Sequence, residues 1–349
     1  MRVLQVDAGR EWRGGQNQVR LLCRELHRAG VEVQLATKRD GQLALRAIAE
    51  QVPTTPVRWR ISLDPGTVLE LIAVLVKFSP DIVHVHDSHA LTLVRWAMDF
   101  GYWTAEPPPI VASRRVDFAI RRRSGWFKVD RVIAVSSAVE RVLMASGLPQ
   151  TAITVIRDGI DADEIRANAA QPYDVRARLG LAAGTPLAVN AAALVDHKDH
   201  RTLLNAAAHA RALQPGLHWV IAGEGELRHT LEREITQQGL DDIVHLLGYV
   251  NQVDALIREA NVFVMSSKEE GLGSVILHAL ALEKPVVATA GGGIPELLPP
   301  EALVPVRDAK SLAGKVVEAI NHPSPFPLPA QFTAKSMAQA TLALYQALV

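Results

Sequence analysis

One cysteine, Cys23, stands in 349 residues. A single thiol excludes an intrachain disulfide and any cysteine-built metal site. It also suits a reducing compartment, and the expectation is a cytoplasmic protein. Net charge is missing too: 37 Lys and Arg balance 37 Asp and Glu. That argues against a nucleic-acid binder working by overall charge, and none is expected as a partner. Long apolar runs are absent. The longest candidate, Val68–Val76, contains Glu70 and is followed by Lys77, short of the roughly 18–20 apolar residues of a membrane span. The opening MRVLQVDAG holds no apolar core of signal-peptide length and reads as a first β-strand. No Gly-x4-Gly-Lys-Ser/Thr stretch occurs, which argues against P-loop chemistry.

The chain does have enough apolar residues and length for two ordinary domains. Its charge is split between them. Residues 1–150 hold 21 Lys and Arg against 15 Asp and Glu; the remainder holds 16 against 22. Such polarity suggests that the halves meet different partners. Short Val/Ile-rich runs alternate with amphipathic segments. Strands are expected at Val3–Asp7, Val31–Thr37, Asp81–His86, Ile110–Ser113, Arg131–Val135 and Ile153–Ile156. They resume at Leu187–Ala193, Leu217–Ala222, Val262–Ser266 and Val286–Thr289. Most show little alternation, as parallel strands covered on both faces do. Helical periodicity fills Gln16–Ala29, Val68–Phe78, Thr202–Leu213 and Leu227–Gln238. The pattern predicts α/β architecture, with two doubly wound parallel sheets. The turn at Arg157-Asp158-Gly159-Ile160-Asp161 divides residues 1–156 from 157–330. After the Pro-rich stretch 322–329, a last helix in 331–349 is expected to return to the first domain.

Several motifs sit where strands should end, the usual ligand edge of an open parallel sheet. Gly14-Gly15 follows the first strand and permits close backbone approach to a ligand, although a plain turn explains it equally well. His84 and His86 share a strand face, with His89 just beyond. His84 reads as a buried, satisfied imidazole, while His86 and His89 are better placed for ligands; no further cluster completes a metal site. Gly223-Glu224-Gly225 begins like a dinucleotide fingerprint, but Arg228 occupies the third glycine position, and a tight turn is the simpler reading. The most informative stretch is Ser266–Thr289: strand, Gly-rich loop, helix, strand. Glu270 precedes the helix and can hold sugar hydroxyls. The free amides from Gly273 onward can hold phosphate.

That stretch resembles the donor-site signature of retaining glycosyltransferases of family 4, which have the GT-B fold. The family pattern runs roughly S-x-x-E-G-x6-E-A-x-A-x-G-x-P-V-V-A-T, followed by G-G-x-x-E. Gly14-Gly15, His86, Val135-Ser136, the linker Val155–Asp161 and Leu194-Val195-Asp196-His197-Lys198-Asp199 match in order along nearly the whole chain. The chain departs from the pattern at three positions. His278 stands where the family has its second carboxylate, Ala193 where it has a phosphate-binding arginine, and Glu283 where it has a glycine.

The resemblance implies a GT-B protein of two Rossmann-like domains facing across a cleft, moving sugar from a nucleoside-diphosphate sugar, UDP- or GDP-linked, with retention. It implies catalytic roles for His86, Lys198 and Glu270. Donor binding would fall to Gly14, Gly15, Gly271, Leu272, Gly273, Ser274, Val275 and His278, with neither a cofactor nor a metal. The acceptor would be a glycan, lipid-linked saccharide or cell-envelope precursor. His89, Arg114, Arg115, Arg121, Arg122 and Arg123 are expected on the acceptor side, or at the inner face of an anionic membrane; a solvated loop is the plainer reading of the arginines. Ala193 and His278 leave open a non-catalytic sugar-nucleotide-binding or partner protein, and the shared fold leaves open a GT-B sugar-nucleotide epimerase.

Overall fold

A computed structural model describes residues 1–59, 64–101 and 106–349. The chain forms two compact units. The first comprises Met1–Ile160 with Ala330–Val349, the second Asp161–Pro329.

The first unit contains β1 (Arg2–Asp7), α1 (Gly14–Arg28), β2 (Glu32–Lys38), α2 (Gln42–Ala49), β3 (Thr54–Val57), α3 (Pro65–Phe78) and β4 (Ile82–Val85). It continues with α4 (Ser88–Phe100), β5 (Ile110–Arg114), β6 (Arg131–Ala134), α5 (Ser137–Ala145) and β7 (Ile153–Val155). The second unit contains α6 (Ala162–Ala169), α7 (Val175–Arg178), β8 (Leu187–Ala191), α8 (His200–Leu213), β9 (His218–Ala222) and α9 (Arg228–Gln237). It ends with β10 (Val244–Gly248), α10 (Val253–Glu259), β11 (Val262–Met265), α11 (Ser274–Ala281), β12 (Val286–Thr289), β13 (Leu303–Val304) and α12 (Ala309–Asn321). The last helix, α13 (Ala334–Gln346), belongs to the first unit.

Both sheets are parallel among the described residues. The first runs β3-β2-β1-β4-β5-β6-β7 and the second β10-β9-β8-β11-β12-β13. Strands β4 and β11 are buried throughout, which is why they read as unbroken apolar runs. The sequence reading missed β3, β10 and β13. All three lie at sheet edges, where pairing on one side only permits short strands, a proline (Pro56) and polar residues.

Helix starts follow local chemistry. Asp64 accepts from the Gly66 amide ahead of Pro65, Asp87 caps α4, Ser136 caps α5 and Thr333 caps α13. Helix α13 packs on α1, placing Met337, Ala338 and Tyr345 in the core with Leu22, Cys23 and Leu26. The Ile160 amide donates to the Phe332 carbonyl, and the Ala334 amide to the Ile160 carbonyl, so this helix is tied to the end of the linker. The second core is built around Trp219, Leu203, Leu204 and Leu231.

Each sheet reverses its winding once, between β1 and β4 in the first unit and between β8 and β11 in the second. The loops leaving those strands diverge there, at the place where open parallel sheets bind their ligands. His86, Lys198 and Glu270 fall on these loops, whereas His84 lies in β4, His89 in α4, His278 in α11 and the arginine stretch at the end of β5 and beyond it.

Candidate functional site

In the second unit, the loop after β8 carries Ala193 and Lys198, and the loop after β11 carries Ser266–Gly273. The two loops are laced together. The Lys268 amide donates to the His197 carbonyl at 3.0 Å, and Ser266 Oγ donates to the Lys198 carbonyl at 3.0 Å. Lys198 Nζ forms an ion pair with Glu270 Oε2. Their side chains are only 15% and 14% exposed, so water screens the pair far less than a surface bridge. Ser267 Oγ also donates to Glu270 Oε2, at 3.2 Å. A second bridge, Lys268 Nζ to Asp196 Oδ2 at 2.5 Å, spans the same loops, with Asp196 facing solvent. The exposed Asp196 carboxyl titrates below the ordinary value because Lys268 donates to it.

Beside this pair, α11 begins at Gly273, whose φ of +88° favours glycine. No side chain caps α11, and its first turn carries no acidic residue. The first amides of a helix have no intrahelical acceptor and sit at the positive end of its dipole. Ser274 and Val275 therefore offer amides to an anion next to Lys198. His278, one turn further along, pairs through Nδ1 with Asp254 Oδ1 of α10 at 2.7 Å. The sequence reading missed Asp254. No local motif marks it, and only the packing of α10 on α11 reveals its partner.

The Gly223-Glu224-Gly225 motif is a packing device. A Cβ on Gly223 would lie 1.9 Å from the Ala192 carbonyl oxygen, and one on Gly225 would lie 2.4 Å from that of Leu194. The two glycines let the turn after β9 press against the Lys198 loop, where the Leu194 amide donates to the Glu224 carbonyl. Glu283 has φ of +53°, a left-handed conformation in which a glycine is unstrained.

In the first unit, a directed hydrogen-bond network spans the strand ends. Arg115 Nε donates to Asp158 Oδ1 at 3.2 Å, and Arg115 Nη1 donates to His86 Nδ1 at 3.2 Å. His86 Nε2 therefore carries the ring proton and donates to Gln5 Oε1 at 2.6 Å. Gln5 Nε2 donates to the Tyr345 hydroxyl, which also hydrogen-bonds His84 Nδ1, while His84 Nε2 hydrogen-bonds Ser113 Oγ. His84 is the satisfied buried imidazole expected from sequence. Burial, His84 and Arg115 hold the His86 pKa well below the ordinary histidine range. His86 is thus a neutral relay with both nitrogens engaged, and in this arrangement it has no free nitrogen for a substrate. Burial raises the Asp158 carboxyl, and Arg115 partly offsets the rise.

Asp7, at the end of β1, accepts from the Gly9 amide at 2.9 Å, and burial with the nearby Asp87 pushes its pKa up to about 6. Asp87 Oδ2 accepts from the Ala8 amide at 2.7 Å. Gly14 and Gly15 open α1, and Arg115 Cδ would lie 3.9 Å from a Cβ on Gly15. His89 packs its ring edge-on to Trp59.

The basic stretch splits. Arg115 turns into the strand-end network rather than to an outer surface. Arg114 donates to the Phe118 carbonyl and lies over the Trp126 ring. Arg121, Arg122 and Arg123 are exposed. Among the described residues, no group of three or more His, Cys, Asp or Glu is arranged to hold a metal, and no helix is long and apolar enough to cross a membrane.

Residues 12–164 match the family model described as Glycosyltransferase Family 4, and residues 174–338 match Glycosyl transferases group 1. The chain is 34% identical over 118 residues to the lipopolysaccharide core biosynthesis glycosyltransferase LpsE of Rhizobium meliloti, covering 34% of each chain. It is 25% identical over 225 residues to the 2-deoxystreptamine glucosyltransferase of Streptomyces kanamyceticus, covering 62% of this chain and 56% of that relative. It spans about a third to a half of the length of the first curated relatives it matches. Among solved structures, Anabaena HepE in complex with UDP and glucose is similar with a TM-score of 0.76 at 19% identity, covering 100% of this chain and 95% of that one. A glycosyltransferase from Rickettsia africae gives 0.76 at 17%, covering 99% and 98%. At such identities the likeness concerns the fold. The chain therefore carries a Glycosyltransferase Family 4 domain followed by a Glycosyl transferases group 1 domain, in the two-sheet architecture of the GT-B fold.

Proposed function

We propose that the protein transfers a sugar, with retention of configuration, from a nucleoside-diphosphate sugar to a glycan or lipid-linked acceptor of the cell envelope. The observation that carries this reading is the partly buried Lys198–Glu270 pair at the winding reversal of the second sheet, beside the uncapped start of α11. Several relatives are named as transferases of envelope polysaccharide synthesis, and HepE was solved with UDP-glucose. A UDP-sugar is accordingly the first donor to test.

In this reading the donor diphosphate displaces Glu270 from Lys198. Lys198 and the Ser274 and Val275 amides then hold the phosphates, and the freed Glu270 carboxylate accepts from hydroxyls of the donor sugar. Negative charge grows on the diphosphate as the anomeric bond breaks, so these fixed donors stabilise the transition state more than the ground state. Lys198 is the principal side-chain cation, because Ala193 supplies none. The acceptor hydroxyl oxygen attacks the face that the diphosphate leaves, and its proton passes to the departing diphosphate oxygen as the anomeric bond to that oxygen breaks. A thermal-shift screen of UDP- and GDP-sugars, followed by transfer assays with the stabilising donor, tests the reading. Stabilisation by a sugar nucleotide is expected; no stabilisation by any of them would refute it.

A further inference from the structure

Asp254 is a buried carboxylate, 6% exposed, without a role in the chemistry above. Its two oxygens face two different helices. Oδ1 lies 2.7 Å from His278 Nδ1 on α11, and Oδ2 accepts from Asn168 Nδ2 on α6 at 3.2 Å. An ionised carboxylate only accepts, so the ring proton of a neutral His278 sits on Nδ1 and Nε2 carries a lone pair. Among the described residues Nε2 has no hydrogen-bond partner, and it is not among the polar atoms sealed from solvent without one. A lone-pair nitrogen repels phosphate oxygens and suits an O–H donor. On a helix whose first amides are those proposed for the diphosphate, the group this nitrogen can take is therefore a hydroxyl.

We propose that Asp254 is a positioning residue for the donor site: it fixes His278 in the Nδ1–H tautomer, so that Nε2 accepts from a ribose hydroxyl of the bound sugar nucleotide. The inference rests on the donor-site reading above. The two side chains act as one unit, in which the imidazole presents an acceptor and the carboxylate on the neighbouring helix decides that it is one. A carboxylate placed at position 278 would instead meet Asp254 across a short gap as a like charge. His278→Glu, a change that restores the family residue, is therefore harmful by itself and needs Asp254 removed.

The test is a double-substitution cycle read by calorimetry with UDP and GDP and by donor kinetics. Asp254→Ala is expected to weaken nucleotide binding about tenfold, the scale of a lost hydrogen bond with a polar atom left stranded. Donor KM should rise while kcat stays within about twofold. In the His278→Glu background the same substitution should have the opposite sign and restore affinity to within about threefold of the parent. A mere helix tether predicts otherwise: Asp254→Ala lowers thermal stability in both backgrounds and leaves nucleotide affinity unchanged, which would overturn the inference. Should a variant not fold, nitrogen-15 histidine NMR of the unmodified protein at pH 8 still decides. A protonated Nδ1, with an unprotonated Nε2 that shifts on adding the nucleotide, is expected; a protonated Nε2 would overturn it. If neither UDP nor GDP binds the unmodified protein, the donor-site reading falls and this inference with it. If one binds and Asp254→Ala binds it equally well, only the inference falls.

Discussion

The two units place polar residues at the same point of their sheets, yet they use them in opposite ways. In the first, Arg115, His86, Gln5, Tyr345, His84 and Ser113 satisfy one another in a continuous chain, and Tyr345 of the last helix sits within it. In the second, opposite charges pair across two loops, Lys198 with Glu270, which also accepts from Ser267, and Lys268 with Asp196, beside amides that have no intrahelical acceptor. A closed, mutually satisfied network rigidifies a fold, and its disruption costs stability. A pair of opposite charges beside an uncapped helix is suited to exchanging a partner for a ligand. The same strand-end geometry thus serves as scaffold in one unit and as candidate binding chemistry in the other.

The contrast breaks most sharply at Lys198. Lys198→Ala should lower turnover about 100-fold or more, because it removes a charge that acts as the diphosphate leaves. Steady-state kinetics at saturating donor check this, and wild-type turnover would assign the phosphates to another cation.

Asp7→Asn probes the first unit. The folded carboxyl titrates at about 6 against 3.8 for the free group. Between those values the native state holds more protons than the unfolded one, so this group makes stability fall as pH rises from about 4 to 6 and leaves it lower above. The substitution should gain on the order of 2 kcal/mol over the parent at pH 7.5 and nothing at pH 4. Urea unfolding at both values shows whether the gain depends on pH.

Tyr345→Phe strands Gln5 Nε2 and His84 Nδ1 in the core. It should cost about 2 kcal/mol, measured by urea unfolding of the first unit, without shifting nucleotide affinity. An equal loss of nucleotide binding would erase the distinction between scaffold and site.

The smallest effect is at Glu283. Glu283→Gly relieves a left-handed φ of +53° and should add about 0.5–1 kcal/mol of stability, less the entropy that glycine costs. A melting curve suffices to measure it.

Interior strands were legible because burial on both faces demands unbroken Val and Ile. The edge strands β3, β10 and β13 were not, because an edge relaxes that demand. Glu270, Gly273 and His278 were legible because strand, loop and helix run contiguously, which keeps their spacing in the sequence. Asp254 was not, since its partnership with His278 crosses from one helix to another. The saturation of His86 was hidden for the same reason: Gln5 comes from β1 and Arg115 from just beyond β5, and no local pattern joins them. Chemistry carried by one loop can be read along the chain, whereas chemistry made by two elements meeting requires the fold.

The central claim is that Lys198 exchanges Glu270 for the donor diphosphate. Calorimetric titration of UDP into the unmodified protein and into Glu270→Gln tests it most directly. Neutralising the competitor leaves Lys198 unpaired, so UDP should bind the variant several-fold more tightly, while sugar transfer falls because the carboxylate no longer holds the donor sugar. UDP binding that is unchanged or weaker in Glu270→Gln would contradict the exchange.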